Sequence, residues 1–243
     1  MKFLLVHGAF QGGWCWFRVR QILQQAGHEV FTPSLTGLGE RKHLLCPEIG
    51  LEIHLQDIVN LLEFEDLRDV VLAGHSYGGM VITGACDLAA DRIRDLVFVD
   101  ALMPRDGECN LQILDPPIAS AIRQLAVDGW RVSPPLEVLL AYLGIEDSGD
   151  RAWVAERLLA QSLHTFEQPF RASSGEAERV RKTYLRSTKP SSGPAYEKLG
   201  RRAKSEGWAY YELPTAHGAM LTMPSELARI LREVGEQSPA RSL

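Results

Sequence analysis

Three residues that together could catalyse acyl transfer lie in separate parts of the chain: Ser76, Asp100 and His217. Ser76 stands in the stretch GHSYGG, with Gly74 two residues before it and Gly78 two residues after it. A serine hydroxyl is a weak nucleophile until a neighbouring imidazole takes its proton, and a carboxylate commonly orients that imidazole. The alternative is a serine in an ordinary glycine-rich turn, and the surrounding elements distinguish the two.

Short apolar runs alternate with helical patterns along most of the chain. The predicted strands are 2–6, 29–33, 69–74, 95–100, 182–187 and 208–213. Between strands, apolar residues recur at i, i+3, i+4 and i+7, as in Val19, Ile22, Leu23 and Ala26, which predicts amphipathic helices. Near-continuous apolar strands that alternate with helices indicate an α/β fold, with a mainly parallel sheet of about six strands covered by helices on both faces.

Residues 104–180 interrupt this alternation. They contain no clear strand pattern, several prolines and helical stretches such as LEVLLAYL and RAWVAERLLAQSL. A structureless loop of this length is uncommon in a domain of this kind. We predict a helical lid inserted into a core that consists of residues 1–103 and 181–243.

The three candidate residues each lie at or just after the end of a predicted strand. In an open α/β sheet, ligands bind at the carboxyl ends of the strands, so Ser76, Asp100 and His217 should converge on one edge. A Gly-x-Ser-x-Gly passage from strand to helix is typical of a nucleophile elbow, where Gly74 and Gly78 allow strand and helix to approach closely. We therefore interpret Ser76 as the nucleophile and His217 as its base.

The other histidines are weaker candidates for the base. His75 adjoins Ser76, so its side chain should point elsewhere, and we expect His7 to brace the glycine-rich loop after the first strand. The remaining histidines lie in helices or connections and are expected to be exposed: His28, His43, His54 and His164.

Backbone amides near the nucleophile could bind the negative charge that develops on a carbonyl oxygen. Tyr77 follows the nucleophile at the start of a helix, and Ala9 lies in the loop HGAFQGGW after the first strand. A glycine-rich turn that only links strand to helix is the alternative interpretation of that loop. We expect an apolar substrate pocket with contributions from Phe10, Trp14, Leu102, Met103 and aromatic side chains of the lid.

Five motifs resemble those of the α/β-hydrolase superfamily. They are LVHGAFQGGWCW, TGLGERKHLL, GHSYGGMV, LVFVDALMP and HGAMLTMPSELA, in that order. The resemblance covers nearly the whole chain, is weakest in 104–180, and is closest to plant hydroxynitrile lyases, plant methyl esterases and related bacterial carboxylesterases. It implies an α/β-hydrolase fold and an acyl-enzyme mechanism.

Two features depart from that resemblance. The lyases of this branch carry a threonine and a lysine where this chain has Gly8 and Gly218, which favours ester hydrolysis over cyanohydrin cleavage. Most members also place an aspartate in a Thr-x-Asp motif where 187–190 reads Ser-Thr-Lys-Pro, with no acid until Glu197. We expect Asp100 to be the triad acid. A turn or lid-entry role for Asp100, a Glu197 acid, and a dyad or water-bridged arrangement are the alternatives.

Composition and missing motifs exclude several classes of protein. The formal net charge is −5 and no Lys/Arg block stands out, so nucleic acid and anionic membranes are not expected partners. No HExxH, P-loop, GxGxxG, CxxC or zinc spacing occurs, so neither a cofactor nor a metal is expected. The short apolar start of the chain does not resemble a secretory leader, and four cysteines without a pairing pattern indicate free thiols in the cytoplasm.

The sequence thus predicts a cytoplasmic serine hydrolase that cleaves a small or medium lipophilic carboxylic ester. Thioesters and lactones are open as substrates, and a homodimer is open as an oligomeric state. Two other readings remain: a cofactor-free lyase or decarboxylase on the same scaffold, and a non-catalytic ligand receptor that has lost its triad.

Overall fold

A parallel sheet carries the candidate residues. The computed structural model describes residues 1–189 and 193–237. Two parts of the sequence predictions lie outside this range: Pro190 of the Ser-Thr-Lys-Pro stretch, and 238–243 at the end of the predicted core. The strands are β1 (Lys2–Val6), β2 (Glu29–Phe31), β3 (Val70–His75), β4 (Ile93–Val99), β5 (Ala126–Val127), β6 (Arg131–Val132), β7 (Gln161–Ser162), β8 (Arg181–Ser187) and β9 (Ala209–Leu213).

Six of these strands form one sheet in the order β2-β1-β3-β4-β8-β9, and each neighbouring pair is parallel. The register pairs His75 with Val99 and Val99 with Leu185, so β3, β4 and β8 end at nearly the same level. The residues that follow these strands therefore start from one edge of the sheet.

Both faces of the sheet are buried, which explains the near-continuous apolar runs. In β1, Leu4 and Val6 belong to one buried cluster, whereas Phe3 and Leu5 belong to the other. The same alternation recurs in β3 and β4, as expected when successive side chains point to opposite faces.

Helices cover the two faces. The helices α2 and α3 contribute to the first cluster, and α1 and α11 contribute to the second. The bounds are α1 (Phe17–Gln25), α2 (Leu51–Phe64), α3 (Gly78–Leu88), α4 (Asn110–Ile113), α5 (Pro116–Gln124), α6 (Leu136–Leu143), α7 (Ser148–Ala155), α8 (His164–Glu167), α9 (Gly193–Ser205), α10 (Ala219–Thr222) and α11 (Pro224–Gln237). This arrangement confirms the predicted six-stranded α/β architecture.

The segment 104–180, called the insert below, connects β4 to β8. It contains α4 to α8 and a small antiparallel sheet in the order β5-β6-β7. The expectation that the insert holds no strand is therefore wrong, because paired strands of two residues are too short to give a period-two pattern in the sequence.

The insert shares its core with the sheet. Phe166 of α8 stacks on Phe10 at 5.6 Å between ring centroids, and one buried cluster contains both Phe166 and Leu72 of β3. The division of the chain into a core and a lid stays a prediction.

Candidate active site

Ser76 lies in a tight turn between β3 and α3. Its φ of 53° is in the left-handed region, which is unfavourable for a serine. Its amide donates to Val99 O at 3.4 Å, and its carbonyl accepts from Gly79 N and Leu102 N at 3.0 Å each. These bonds hold the strained backbone in place and leave the side chain free to face a cavity.

The two flanking glycines have no room for a side chain. A Cβ atom on Gly74 would lie 2.6 Å from Gly78 O, and one on Gly78 would lie 2.8 Å from the carbonyl oxygens of Val6 and His7. Larger residues would therefore push α3 away from the sheet and move Ser76.

His217 follows β9 and contacts Asp100, which follows β4. The distance between His217 Nδ1 and Asp100 Oδ2 is 2.7 Å, and both side chains are almost fully buried. The other carboxylate oxygen, Asp100 Oδ1, accepts from Ser187 N at 3.2 Å. A carboxylate can only accept here, so Nδ1 carries the proton and Nε2 is left as a proton acceptor.

His217 lines the same cavity as Ser76, and its Nε2 has no hydrogen-bond partner within the described residues. Three rings surround the imidazole, with centroid distances of 4.5 Å to His75, 4.4 Å to Tyr142 and 4.8 Å to Tyr196. The Ser76 hydroxyl pairs instead with the Tyr196 hydroxyl at 3.2 Å. Hydrogen bonds between a catalytic serine and its base often close only when substrate binds.

His75 supports His217 from behind. Its Nε2–H donates to the carbonyl oxygen of His217 at 2.9 Å. Burial, with a smaller contribution from His217, holds the pKa of His75 well below its usual value of 6.5. His75 is therefore a neutral donor that fixes the His217 backbone, and it lines the cavity together with Ser76.

The loop after β1 is held from two sides. Gly8 N donates to Gln11 Oε1 at 3.2 Å, and Phe10 N donates to Gln161 Oε1 of the insert at 2.8 Å. Between them, the amide of Ala9 has no acceptor among residues 1–189 and 193–237, and the same holds for Tyr77. Two unpaired N–H groups beside a nucleophile can stabilise a developing oxyanion.

The hydroxyl of Tyr77 is hydrogen-bonded to His54 of α2. It donates to His54 Nδ1 at 2.9 Å, because His54 Nε2–H donates to Thr36 O at 2.9 Å. Burial lowers the pKa of His54 to about 4. The expectation that His54 is exposed is therefore wrong. The sequence carried the signal, since His54 shares the helical spacing of the buried Leu51, Leu55 and Ile58.

A cavity of about 420 Å³ opens over Ser76 and His217. Phe10 and Leu102, named as pocket residues from the sequence, line it, and so do Ala9 and Tyr77, the candidates for the oxyanion hole. Most of its wall is apolar and comes from the insert: Leu114, Ile118, Ile122, Leu125, Leu139 and Leu158.

Two residues expected in the pocket lie elsewhere. Trp14 packs edge-on against Trp153 at 5.2 Å between ring centroids, and both rings pack against the second buried cluster rather than lining the cavity. Met103 is buried in the core, where its carbonyl oxygen accepts from Arg202 Nη1 at 2.9 Å. Sequence spacing placed both near the site but did not give the direction of either side chain.

Three polar residues of the cavity, Gln11, Asn110 and Tyr196, were not named from the sequence. Asn110 Oδ1 is buried without a partner in the described part of the chain. Tyr142 also lines the cavity and is an aromatic side chain of the insert. No short motif marks Asn110, Tyr142 or Tyr196. Glu197, the alternative acid, pairs with Arg201 at 2.5 Å instead of reaching His217.

Gly8 and Gly218 lie against the site. A Cβ atom on Gly8 would lie 2.7 Å from His75 Nδ1, and one on Gly218 would lie 2.7 Å from Leu143 O. Without shifts of these neighbours, neither position accommodates the threonine or lysine of the lyases.

The described residues contain no cluster of His, Cys, Asp and Glu that could hold a metal ion. No helix in the described ranges combines the length and the apolar character needed to cross a bilayer.

Comparison with known proteins shows the family of the chain. A model described as the alpha/beta hydrolase family matches residues 3–230. The carbendazim hydrolyzing esterase of a Nocardioides species is 35% identical over 242 residues, which cover 96% of this chain and 99% of that protein. Methylesterase 8 of Arabidopsis thaliana is 35% identical over 103 residues, which cover 42% of this chain and 38% of that protein.

Among solved structures, an extracellular α/β-hydrolase from a Paenibacillus species has a TM-score of 0.82 at 22% identity, over 98% of this chain and 100% of that chain. This likeness shows a common fold. Together with the match along nearly the whole sequence, it leads to one conclusion: the chain belongs to the α/β-hydrolase family.

Proposed function

We propose that the protein is a serine esterase that cleaves a small or medium lipophilic carboxylic ester. The observation that carries the proposal is the 2.7 Å contact between Asp100 and His217, with His217 and Ser76 lining one mostly apolar cavity. An imidazole that a carboxylate orients in this way can take the proton of a serine hydroxyl and make it a nucleophile.

The reaction would proceed in two halves. Ser76 Oγ attacks the ester carbonyl carbon while His217 Nε2 takes the hydroxyl proton, and the amides of Ala9 and Tyr77 bind the oxyanion. His217 then returns that proton to the alkoxy oxygen, and the alcohol leaves. A water molecule, activated by the same imidazole, releases the acid from Ser76. Asp100 keeps the proton on Nδ1 and stabilises the imidazolium.

The substrate class follows from the cavity. Its wall is mostly apolar and its volume of about 420 Å³ lies within the usual range for small-molecule sites. The names of two relatives, carbendazim hydrolyzing esterase and methylesterase, agree with a small-molecule ester as substrate. Thioesters and lactones would use the same groups, so the choice between them needs a substrate panel.

The lyase alternative is disfavoured by the space at Gly8 and Gly218, where a side chain would collide with His75 Nδ1 and Leu143 O. Mandelonitrile should therefore not be cleaved above background. Cyanide release that rises in proportion to enzyme concentration would overturn the esterase proposal. The receptor alternative is disfavoured by the intact pairing of Asp100 with His217.

A phosphonate-ester activity probe tests the proposal directly. The probe should label the protein, and peptide mapping should place the label on Ser76. Heat-denatured protein is the control, because labelling must depend on the folded site. Labelling at another residue, or none with intact protein, would contradict the serine mechanism.

A cytoplasmic location is also part of the proposal and is supported by the four free cysteines, Cys15, Cys46, Cys86 and Cys109. Fractionation of the native cell would test it. The homodimer stays a prediction for measurement by light scattering.

A further inference from the structure

The Tyr196 hydroxyl is the polar group that touches the nucleophile. It lies 3.2 Å from Ser76 Oγ, and its ring packs 4.8 Å from the ring of His217. Tyr196 is 3% exposed and lines the cavity. Its hydroxyl therefore lies beside both the attacking oxygen and the base, where a substrate's reacting atoms must fit.

The position of Tyr196 is built into the fold. It belongs to the first turn of α9, where Ala195 N donates to Asp115 Oδ2 at 3.1 Å. Asp115 belongs to the insert, so this bond ties the start of α9 to the cavity wall. Tyr142 of α6 also lines the cavity, and the rings of Tyr142 and Tyr196 both pack against His217.

We propose that Tyr196 is a catalytic group of the ester hydrolysis, which donates a hydrogen bond to the alkoxy oxygen of the ester as the bond between that oxygen and the carbonyl carbon breaks. The inference rests on the proposed serine esterase function and extends it to the alcohol half of the substrate.

The step balances without any further reactant. When the tetrahedral intermediate collapses, the electron pair of the breaking C–O bond stays with the alkoxy oxygen. His217 Nε2 gives that oxygen the proton it took from Ser76, and a neutral alcohol leaves. Tyr196 keeps its own proton throughout and lowers the energy of the partial negative charge on the leaving oxygen.

Tyr196 is suited to donate because it stays protonated. Burial raises the pKa of its hydroxyl to about 12, so the phenol is neutral at the pH of ordinary esterase assays. Before substrate binds, the hydroxyl would rest on Ser76 Oγ. The alkoxy oxygen of the ester would take over that contact as the serine forms its bond to carbon.

The test is the dependence of the rate on the leaving alcohol. Tyr196→Phe removes the donor and keeps the ring. For esters of one acid with p-nitrophenol, phenol, trifluoroethanol and methanol, kcat/KM of the variant should fall most for the methyl ester, by about 10- to 100-fold. It should fall by less than about 3-fold for the p-nitrophenyl ester, because nitrophenolate leaves without assistance.

The matched control is Tyr184→Phe. Tyr184 is also buried, and its hydroxyl donates to Ala101 O at 3.2 Å rather than to Ser76. For Tyr184→Phe, a plot of log kcat/KM against the pKa of the leaving alcohol should keep the wild-type slope. For Tyr196→Phe, the slope should be steeper. A second variant, Asp115→Ala, removes the acceptor of Ala195 N at the start of α9, so it should steepen the slope less, and it serves if Tyr196→Phe does not fold.

Two results would overturn the inference. An equal loss for all four alcohols would mean that Tyr196 only shapes the site. A gain for all of them would mean that its hydroxyl restrains Ser76 in the resting enzyme. If wild-type protein hydrolyses none of the esters and the phosphonate probe does not label Ser76, the esterase proposal itself fails, and that outcome is distinct from both.

Discussion

The edge of the sheet and the insert supply different halves of the candidate site. At the edge, Ser76 and Asp100 have φ values of 53° and 43°, so strained backbone turns each side chain out of its strand. The insert supplies apolar wall and also clamps the loop after β1, where Leu159 N donates to Phe10 O at 2.9 Å and Gln161 accepts from Phe10 N. The candidate nucleophile, base and acid thus follow strand ends, whereas most of the cavity wall comes from the insert. Changes at the edge should abolish chemistry, and changes in the insert should tune it.

The largest effect is expected at the nucleophile. Ser76→Ala should lower kcat for a p-nitrophenyl ester by about 10⁴- to 10⁶-fold, because no other group in the cavity forms the acyl-enzyme. Ser187→Ala is the matched control. Ser187 is a buried serine at the end of β8, and its hydroxyl has no partner within the described residues. More than a tenth of wild-type activity in Ser76→Ala would refute the mechanism.

A smaller loss is expected at the acid. Asp100→Asn should fold and bind substrate normally, but lower kcat by about 10²- to 10⁴-fold. The new amide can present N–H to His217 Nδ1, which would place the imidazole proton on Nε2 and prevent it from accepting the serine proton. Glu197→Gln is the control, because Glu197 pairs with Arg201 on α9. If Glu197→Gln reduced kcat as much as Asp100→Asn, the assignment of the acid would be wrong.

The insert is tested at Gln161. Gln161→Leu keeps the approximate size of the side chain but leaves Phe10 N without its acceptor, so the Ala9 amide should lose its fixed direction. We expect kcat to fall by about 10- to 100-fold with little change in KM, because the oxyanion exists only after attack.

Gln168→Leu is the control for the insert. Gln168 Oε1 accepts from Glu52 N at 3.0 Å, so it ties the insert to α2 rather than to the loop after β1. Equal effects of the two leucine variants on kcat would show that the insert acts only through general stability. A rise in KM without a fall in kcat for Gln161→Leu would place its role in substrate binding.

The two regions also differ in how much the sequence predicts. The strands β3 and β4 were placed within two residues of their observed bounds, because each is a buried apolar run that ends at a punctuating turn. The elbow was identified from local spacing, and parallel register alone brings Asp100 to the same edge. Local rules of this kind need no knowledge of the rest of the fold.

Contacts across long stretches of chain could not be predicted. The bond between Ser76 and Tyr196 spans 120 residues, and the bond between Phe10 and Gln161 spans 151. The first bond depends on where α9 packs, and the second depends on where β7 of the insert packs. The spacing of apolar residues predicts neither position. The prediction that Trp14 and Met103 line the pocket failed for the same reason. Their positions in the sequence show that they are near the site but do not give the direction of their side chains.

The last prediction concerns the stability of the protein and rests on three buried histidines. His7 lies in the loop after β1, His75 is the last residue of β3, and His54 lies in α2, where it is hydrogen-bonded to Tyr77. Burial is the main reason that the pKa of His7 is lowered to about 4, and the pKa values of His54 and His75 are lowered for the same reason. Near His54, the Asp57 carboxylate raises this pKa and the Arg41 guanidinium lowers it, without overcoming burial.

These shifts fix the sign of the pH dependence. Between pH 6.5 and about 4, the unfolded chain binds protons on these histidines and the folded protein does not, so the free energy of unfolding falls as pH falls. Between pH 7 and pH 5, each such histidine should lower the free energy of unfolding by about 2 kcal/mol. Urea unfolding of His54→Asn should therefore show a loss over that interval smaller by about this amount. His43→Asn, at an exposed position, should keep the wild-type loss, and an unchanged loss in His54→Asn would mean that His54 is protonated in the folded state.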